Sequence, residues 1–299
     1  MRVAVTGANG LLGGAAVARL AGEQQVLAMG RGACRLPPGG FAWAQVDLGD
    51  AGAVETALLD FRPDAVLHAG AFTDVDACER DPAEAWRVNV GGTEAVARAC
   101  RAIAARLVAV STDYVFDGEA GPYGEDDVPN PRGVYARTKR CGEEAALVLA
   151  PDCAVARVAV VYSGRPGAKR TFATQVVDKL TRGERVLAFS DQVVSPTLAE
   201  NGAAMVLELL LETDYRGILH TSGATALDRV DFARRVAARF GLEGEIVPVH
   251  TRDAKLLAPR PLHAGLRVDR AAGLLRTRPL PVDAALELFH EQWLTRTAP

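Results

Sequence analysis

A tyrosine and a lysine four residues apart are the side chains best placed for chemistry in this sequence. They are Tyr135 and Lys139, in the segment Tyr135-Ala136-Arg137-Thr138-Lys139. Residues at i and i+4 share one face of a helix, so the ammonium group would lie close to the phenol. A free phenol has a pKa of about 10, and a neighbouring positive charge favours its ionised form, which brings proton transfer nearer to neutral pH. The pair therefore predicts a phenol that exchanges a proton with a substrate oxygen.

A hydroxyl group at the end of a predicted strand would complete this site. The strand predicted at Arg106–Ser111 leads into Thr112, and open parallel sheets bind ligands at the carboxyl ends of their strands. The Thr112 hydroxyl would help to hold a carbonyl oxygen as that oxygen gains charge. Taken alone, a Tyr-x-x-x-Lys pair is most often solvent-exposed. Its place in the chain, after a phosphate loop and a strand-end hydroxyl, argues for a nicotinamide-dependent oxidoreductase.

The phosphate loop is a glycine-rich turn near the start of the chain. Gly7, Gly10 and Gly13 form the pattern G-x-x-G-x-x-G between a strand predicted at Arg2–Thr6 and a helix predicted from Leu11. Glycines in such a turn let the backbone N–H groups approach a diphosphate and let the helix pack closely on the sheet. The turn therefore predicts a dinucleotide site.

The residues after the second strand favour NADP(H) over NAD(H). An NAD-selective site places an acid there, against the ribose 2′-hydroxyl, whereas this chain has Met29-Gly30-Arg31. A guanidinium group suits a 2′-phosphate, and the alternative is that Arg31 is a solvated loop residue. Asp47 could accept a hydrogen bond from the adenine amino group, or it could simply cap a helix. We expect NADPH as the cofactor.

An alternation of strands and helices predicts an α/β fold, a Rossmann-type doubly wound parallel sheet with a smaller C-terminal substrate-binding lobe. Residues 1–160, with roughly 186–192, are expected to form the NADP-binding domain, and roughly 161–185 and 193–299 the substrate-binding lobe. Further strands in the first half are predicted at Gln25–Met29, Ala65–His68 and Ala154–Val161. Beyond about residue 161 we expect helices at 172–182, 198–212, 229–240 and 282–294 around short strands at Val186–Phe189 and Gly217–His220.

Composition excludes several classes of protein. The net charge is −3, and the 34 basic residues are scattered, which argues against a nucleic-acid partner. The apolar runs are far shorter than the roughly 20 residues that cross a bilayer, and no signal peptide is evident, so we expect a cytoplasmic protein. The five cysteines are widely spaced and no Cys/His cluster is present, so we expect no metal site. The chain could form a homodimer.

Further motifs resemble a known family along nearly the whole chain. The segment from His68 to Asp76 is similar to N-A-A-A-x-T-x-V-D, and Ser111–Gly118 matches S-T-D-Y-V-F-D-G closely. The chain resembles the extended short-chain dehydrogenases/reductases, and among them the dTDP-4-dehydrorhamnose reductases. Other matching segments are Val88-Asn89-Val90 before Gly92-Thr93, Asp191-Gln192 with Ser195-Pro196-Thr197, and Arg260-Pro261.

The resemblance implies a reaction and a set of site residues. NADPH would reduce C4 of a nucleotide-linked 4-keto-6-deoxy sugar, with Thr112, Tyr135 and Lys139 as the catalytic residues and Tyr135 protonating the alkoxide. The product would be dTDP-L-rhamnose or a relative. The implied cofactor-binding residues are Gly7, Gly10, Leu11, Leu12, Gly13, Arg31, Asp47, Leu48, Ala69, Gly70, Ala71, Asn89, Tyr135 and Lys139. The implied substrate-binding residues are Thr73, Asp113, Tyr114, Val160, Gln192 and Arg260.

Departures from the family pattern leave the sugar and the nucleotide base open. Val160 stands where the family segment T-S-W-V-Y has an aromatic residue, and His68 and Gly70 also differ from the family's residues. A nucleotide-sugar epimerase is an alternative. A 4,6-dehydratase is disfavoured, because Asp113 is followed by Tyr114 and not by Glu. A further alternative is a non-catalytic NADP-binding subunit like the β subunit of methionine adenosyltransferase.

Overall fold

The computed structural model describes residues 1–297. The strands in this part of the chain are β1 (Arg2–Thr6), β2 (Gln25–Gly30), β3 (Phe41–Gln45), β4 (Ala65–His68), β5 (Arg106–Thr112), β6 (Cys153–Val158), β7 (Val161–Tyr162), β8 (Val186–Phe189), β9 (Val193–Val194), β10 (Thr197–Leu198), β11 (Gly217–His220), β12 (Leu227–Asp228) and β13 (Ile246–Val249). The α-helices are α1 (Leu11–Leu20), α2 (Ala51–Phe61), α3 (Val75–Arg80), α4 (Pro82–Trp86), α5 (Gly92–Ile103), α6 (Val134–Leu149), α7 (Phe172–Thr181), α8 (Ala199–Leu211), α9 (Arg229–Arg239), α10 (Asp269–Leu274) and α11 (Val282–Thr297). One turn of π-helix covers Arg87–Gly91, and short 3₁₀ helices cover Asp113–Val115 and Thr251–Asp253.

A seven-stranded parallel sheet runs through the middle of the fold, in the order β11-β6-β5-β4-β1-β2-β3. From β1 the chain moves outward to β2 and β3, then returns to β4 and continues outward on the other side. The order therefore reverses between β1 and β4, and a crevice for ligands opens at such a switch point, beyond the carboxyl ends of the strands. The predicted doubly wound Rossmann-type sheet is confirmed.

Helices cover both faces of this sheet, so its strands are apolar on both sides. Helices α1 and α8 bury side chains such as Val17 and Leu210 on one face. Helices α2, α5 and α6 bury Leu58, Val96 and Ala146 on the other. Burying a valine or leucine side chain contributes roughly 1.5–3 kcal/mol to the free energy of folding, so the two helix layers stabilise the sheet whose strand ends carry the site.

A third apolar cluster lies around α7, α9 and α11 and the two-stranded sheet of β8 and β13. Its centre is the buried ring of Tyr162, whose centroid is 5.4 Å from those of Phe232 and Phe289. Residues of β7 and of the start of α9 connect this cluster to the crevice of the main sheet.

Two of the predicted strands pair in places that differ from expectation. Val186–Phe189 pairs with β13, outside the seven-stranded sheet, whereas Gly217–His220 joins that sheet beside β6. The expected grouping of residues 186–192 with the NADP-binding sheet and of Gly217–His220 with the lobe is therefore wrong, while the division into two functional domains stays a prediction. Strand β3, a half-buried edge strand, was not predicted, and the strand predicted at Ala154–Val161 extends beyond the end of β6. Strand β6 ends at Val158 because Val160 has a φ of +40°, which breaks the extended backbone.

Candidate active site

A cavity of about 720 Å³ opens at the carboxyl ends of β1, β4 and β5. Most of the residues predicted from the sequence line it, which brings the glycine turn, the Tyr135/Lys139 pair and the strand-end hydroxyl to one place. The predicted residues in its wall are Gly7, Gly10, Leu11, Leu12, Gly13, Arg31, Asp47, Leu48, Ala69, Gly70, Ala71, Thr73, Thr112, Asp113, Tyr114, Tyr135, Lys139 and Val160. Asn89, Gln192 and Arg260 are not among the lining residues.

The glycine turn leaves no room for side chains. Gly7 has a φ of +68°, and a Cβ placed on it would lie 2.5 Å from the Cα of Gly70. A Cβ on Gly13 would collide with the Gly7 carbonyl. Gly10 and the first residues of α1 line the cavity, and the first N–H groups of a helix have no partner within the helix, so this cradle fits a dinucleotide diphosphate.

A loop after β2 brings two arginines to the cavity wall. The Asn9 amide donates to the carbonyl oxygen of Ala33 (3.0 Å) and accepts from the N–H of Arg35 (2.9 Å), which fastens the loop to the glycine turn. Arg31 and Arg35 both line the cavity, and within residues 1–297 neither has a carboxylate in salt-bridge range. Arg35 was not predicted as a site residue, although a second arginine four residues after Arg31 was a usable signal.

Asp47 lies at the same end of the cavity, and its carboxylate has protein partners. It accepts a hydrogen bond from the N–H of Gly49 (2.8 Å) and lies 3.7 Å from an Arg87 nitrogen. These contacts fix the carboxylate in the cavity wall. A hydrogen bond from Asp47 to an adenine amino group stays a prediction.

Lys139 and Tyr135 occupy the buried face of α6 beneath the cavity. The Lys139 ammonium donates to the carbonyl oxygen of Val110 at the end of β5 (2.8 Å). Burial lowers the pKa of Lys139 to about 8, and the nearby Glu143 carboxylate opposes that shift. Burial raises the pKa of Tyr135 above the ordinary value for tyrosine, against a hydrogen bond with the Thr112 hydroxyl that lowers it. The phenol is therefore protonated at neutral pH in the free protein.

This geometry differs from the expectation that the lysine lowers the pKa of the tyrosine. Desolvation dominates the pKa of Tyr135, because its side chain lies in a buried apolar cluster with Cys78 and the Tyr114 ring, whose centroid is 5.7 Å away. A protonated phenol is the form that a proton donor needs.

Asp113 follows Thr112 and is buried beside it. The Thr112 hydroxyl donates to one Asp113 carboxylate oxygen (2.9 Å), and the other oxygen has no hydrogen-bond partner within residues 1–297. Burial raises the pKa of Asp113 to about 7. The carboxyl group can therefore accept or donate a hydrogen bond near neutral pH.

Two buried polar side chains fasten the cavity floor. The His68 ring lies between the hydroxyls of Thr6 (2.8 Å) and Thr93 (3.0 Å), and burial lowers its pKa to about 3, so the ring is neutral. The Asn89 side chain accepts from the N–H of Phe72 (2.7 Å) and donates to the Thr138 hydroxyl (3.0 Å). These contacts tie the loop after β4 to α6, the helix that carries Tyr135.

The remaining predicted substrate residues stand behind the cavity wall. The Arg260 guanidinium pairs with Asp76 (3.0 Å). Gln192 accepts a hydrogen bond from the Nε of Arg229 (2.9 Å). Arg229 itself lines the cavity, as does Lys169, and the sequence analysis missed both because no local motif distinguishes them from other surface cations.

Among residues 1–297, no helix is both long enough and apolar enough to cross a membrane.

Comparisons with known proteins agree with this geometry. The family model described as RmlD substrate binding domain matches residues 1–294. A dTDP-4-dehydrorhamnose reductase from Mycobacterium tuberculosis is 37% identical over 273 residues, which cover 89% of this chain and 84% of the relative. The methionine adenosyltransferase 2 subunit beta of Bos taurus is 32% identical over 274 residues, covering 90% of this chain and 81% of that protein. The crystal structure of a dTDP-4-dehydrorhamnose reductase from Bacillus anthracis in complex with NADP superposes with a TM-score of 0.86 at 25% identity, covering 97% of this chain and 99% of that one.

Proposed function

The chain belongs to the RmlD family of extended short-chain dehydrogenases/reductases, the family of the dTDP-4-dehydrorhamnose reductases, and we propose how its residues carry out that family's reduction. It is an NAD(P)-dependent oxidoreductase that uses NADPH. Its reaction is the reduction of the C4 ketone of a nucleotide-linked 4-keto-6-deoxy sugar.

We propose that the glycine turn holds the diphosphate of NADPH and that Arg31 and Arg35 hold its 2′-phosphate. The close-packed turn supports the first assignment. Two guanidinium groups with no carboxylate in salt-bridge range among residues 1–297 support the second. Each charge-assisted hydrogen bond to a phosphate contributes about 1.5–3 kcal/mol.

We propose that Tyr135 donates the proton. When bound, NADPH supplies the hydride that reduces the C4 carbon. Tyr135, protonated because it is buried, transfers its phenolic proton to the C4 oxygen as that oxygen gains charge. The Thr112 hydroxyl, which donates to Asp113 in the free protein, turns to donate a hydrogen bond to the same oxygen and so stabilises the developing charge. Lys139, held by the Val110 carbonyl, would bind a hydroxyl of the cofactor's ribose with its ammonium group.

We also propose that the α7, α9 and α11 cluster forms the substrate-binding part of the protein and that the sheet and its helices form the cofactor-binding part. The connection of that cluster to the cavity through β7 and the first residue of α9 supports this division. We further propose that the protein is located in the cytoplasm and that it forms a homodimer.

The observation that carries the function is the convergence of Thr112, Tyr135 and Lys139 in the wall of the cavity that contains the glycine turn. The test is to incubate the purified protein with NADPH and dTDP-, UDP- and GDP-linked 4-keto-6-deoxy sugars. We expect one nucleotide series to consume NADPH with equimolar product. Sugar isomerisation without net NADPH consumption, with tightly retained NAD⁺, would instead show an epimerase. NADPH binding without any turnover would favour a non-catalytic subunit.

A further inference from the structure

Arg229 is a cavity-lining cation that the catalytic roles above do not use. It is the first residue of α9, and its guanidinium lies at the cavity wall near Asp113 and Tyr114. Its Nε donates to Gln192 (2.9 Å), and its central carbon lies 5.6 Å from the centroid of the Phe172 ring. The side chain is therefore held in one position before any ligand arrives.

No carboxylate in the described part of the chain forms a salt bridge with Arg229. The two terminal nitrogens of Arg229 have no hydrogen-bond acceptor and no carboxylate in salt-bridge range within residues 1–297. The nearby acid is Asp113, and because burial raises its pKa to about 7 it is only partly ionised at neutral pH. Burial lowers the pKa of Arg229. The acidic groups of Tyr114 and Asp113 oppose that shift, and the positive charge of Arg260 adds to it. A poorly solvated cation whose two terminal nitrogens have no partner in the described residues favours an anionic ligand.

The proposed function leaves one anionic group without a protein partner. The cofactor's diphosphate and 2′-phosphate are assigned to the glycine turn and to the Arg31/Arg35 loop, which belong to β1, α1 and the end of β2. Arg229 approaches from α9, on the side of Tyr114. The other charged group in the reaction is the diphosphate of the nucleotide sugar.

We propose that Arg229 binds the diphosphate of the nucleotide-sugar substrate through its two terminal nitrogens. The planar fork of a guanidinium group matches two phosphate oxygens, which makes it a good diphosphate ligand. This assignment rests on the proposed function, because it takes a nucleotide-linked sugar as the substrate.

Gln192 acts through Arg229 as a positioning residue. Its amide nitrogen donates to the Thr251 hydroxyl (2.9 Å), and that hydroxyl donates to an Asp191 oxygen (2.8 Å). The chain of hydrogen bonds fixes the Gln192 oxygen that accepts from Arg229. Gln192 thus has a role in substrate binding without lining the cavity.

The test is calorimetric titration of the NADPH-loaded protein with dTDP, UDP and GDP, which contain the diphosphate and lack the sugar. We expect the wild type to bind at least one of them and Arg229→Gln to bind it roughly tenfold to a hundredfold more weakly. The affinity for NADPH should not change. Arg234→Gln, an exposed arginine on the same helix, is the matched control and should bind like the wild type. If Arg229→Gln does not fold, Arg229→Met is tested by the same criterion.

The titration distinguishes failure of the Arg229 assignment from failure of the proposed function. A folded Arg229→Gln variant with unchanged affinity for the diphosphate, or with a defect seen only for complete sugar substrates, would overturn the assignment of Arg229 and leave the reductase function intact. A wild-type protein that binds none of the three nucleoside diphosphates would contradict the proposed function itself.

Discussion

The Lys139 ammonium donates its hydrogen bond to the carbonyl oxygen of Val110, 2.8 Å away at the end of β5. This bond joins α6 to the strand that delivers Thr112. The positive charge is thereby fixed below the cavity, one helical turn from Tyr135. The lysine can hold a cofactor hydroxyl there while the phenol remains protonated.

Replacing Lys139 with methionine should reduce both turnover and NADPH affinity, because the buried ammonium is assigned two functions. We expect at least a tenfold loss in each, measured by steady-state kinetics and by cofactor titration. For the wild type, kcat/KM should fall as the pH rises through about 8, where the free protein loses this charge. Lys179→Met, on α7 and outside the cavity wall, should behave like the wild type. Full activity of Lys139→Met would remove the lysine from the mechanism.

Removing either Arg31 or Arg35 should weaken NADPH binding and leave NADH binding unchanged, because only NADPH has the 2′-phosphate. We expect a tenfold to hundredfold loss for Arg31→Ala and for Arg35→Ala, measured by fluorescence titration with both cofactors. Arg101→Ala, on the outer part of α5, is the control. Equal losses for NADPH and NADH would show that the loop supports the fold and does not recognise the phosphate.

The buried Asp113 carboxyl should make stability depend on pH. Its pKa is raised in the folded protein, so its contribution is fully present below about pH 4 and is lost as the pH rises through about 7. Between pH 5 and pH 8 the wild type should therefore lose roughly 2–3 kcal/mol of unfolding free energy more than Asp113→Asn does. Urea denaturation at both pH values measures this difference. Identical pH dependence of the two proteins would mean that Asp113 titrates normally.

Val160 lines the cavity with a φ of +40°, a conformation that is rare for a β-branched residue, where the family pattern has an aromatic side chain. A larger apolar side chain at this position would strengthen substrate binding by about 0.8 kcal/mol for each additional CH₂ group that is buried against the substrate. Val160→Trp should therefore lower the KM for dTDP-4-dehydrorhamnose if the rest of the pocket fits that sugar. If the wild type turns this sugar over efficiently and Val160→Trp does so less well, the valine at this position does not impair use of that sugar.

The sequence predicted the parts of the site that depend on local chemistry. The glycine turn, Thr112 and the Tyr135/Lys139 pair each follow a predicted strand or lie on a predicted helix, and the switch point of the sheet brings them together. Arg229 could not be found in this way, because its position depends on how α9 packs against the cavity. The raised pKa of Tyr135 could not be predicted from the sequence either, because desolvation of the phenol depends on the buried cluster that surrounds it.

Replacing Tyr135 with phenylalanine should lower kcat by about 10² to 10⁴ and leave NADPH binding unchanged, because only the proton donor is lost. Tyr162→Phe is the matched control, since it removes a buried hydroxyl that has no hydrogen-bond partner within residues 1–297 and lies outside the cavity wall. Normal turnover by Tyr135→Phe would mean that another group protonates the C4 oxygen.

The most direct measurement of the central claim is the fate of a deuterium label. The protein is supplied with NADPH that carries deuterium at both hydrogen positions of the nicotinamide C4 and with the nucleotide-linked 4-keto sugar that it turns over best, and the product is analysed by NMR and mass spectrometry. We predict one deuterium at C4 of the sugar and one NADP⁺ formed for each product molecule. A product without deuterium at C4, or no NADPH oxidation with any sugar of the panel, would contradict the account.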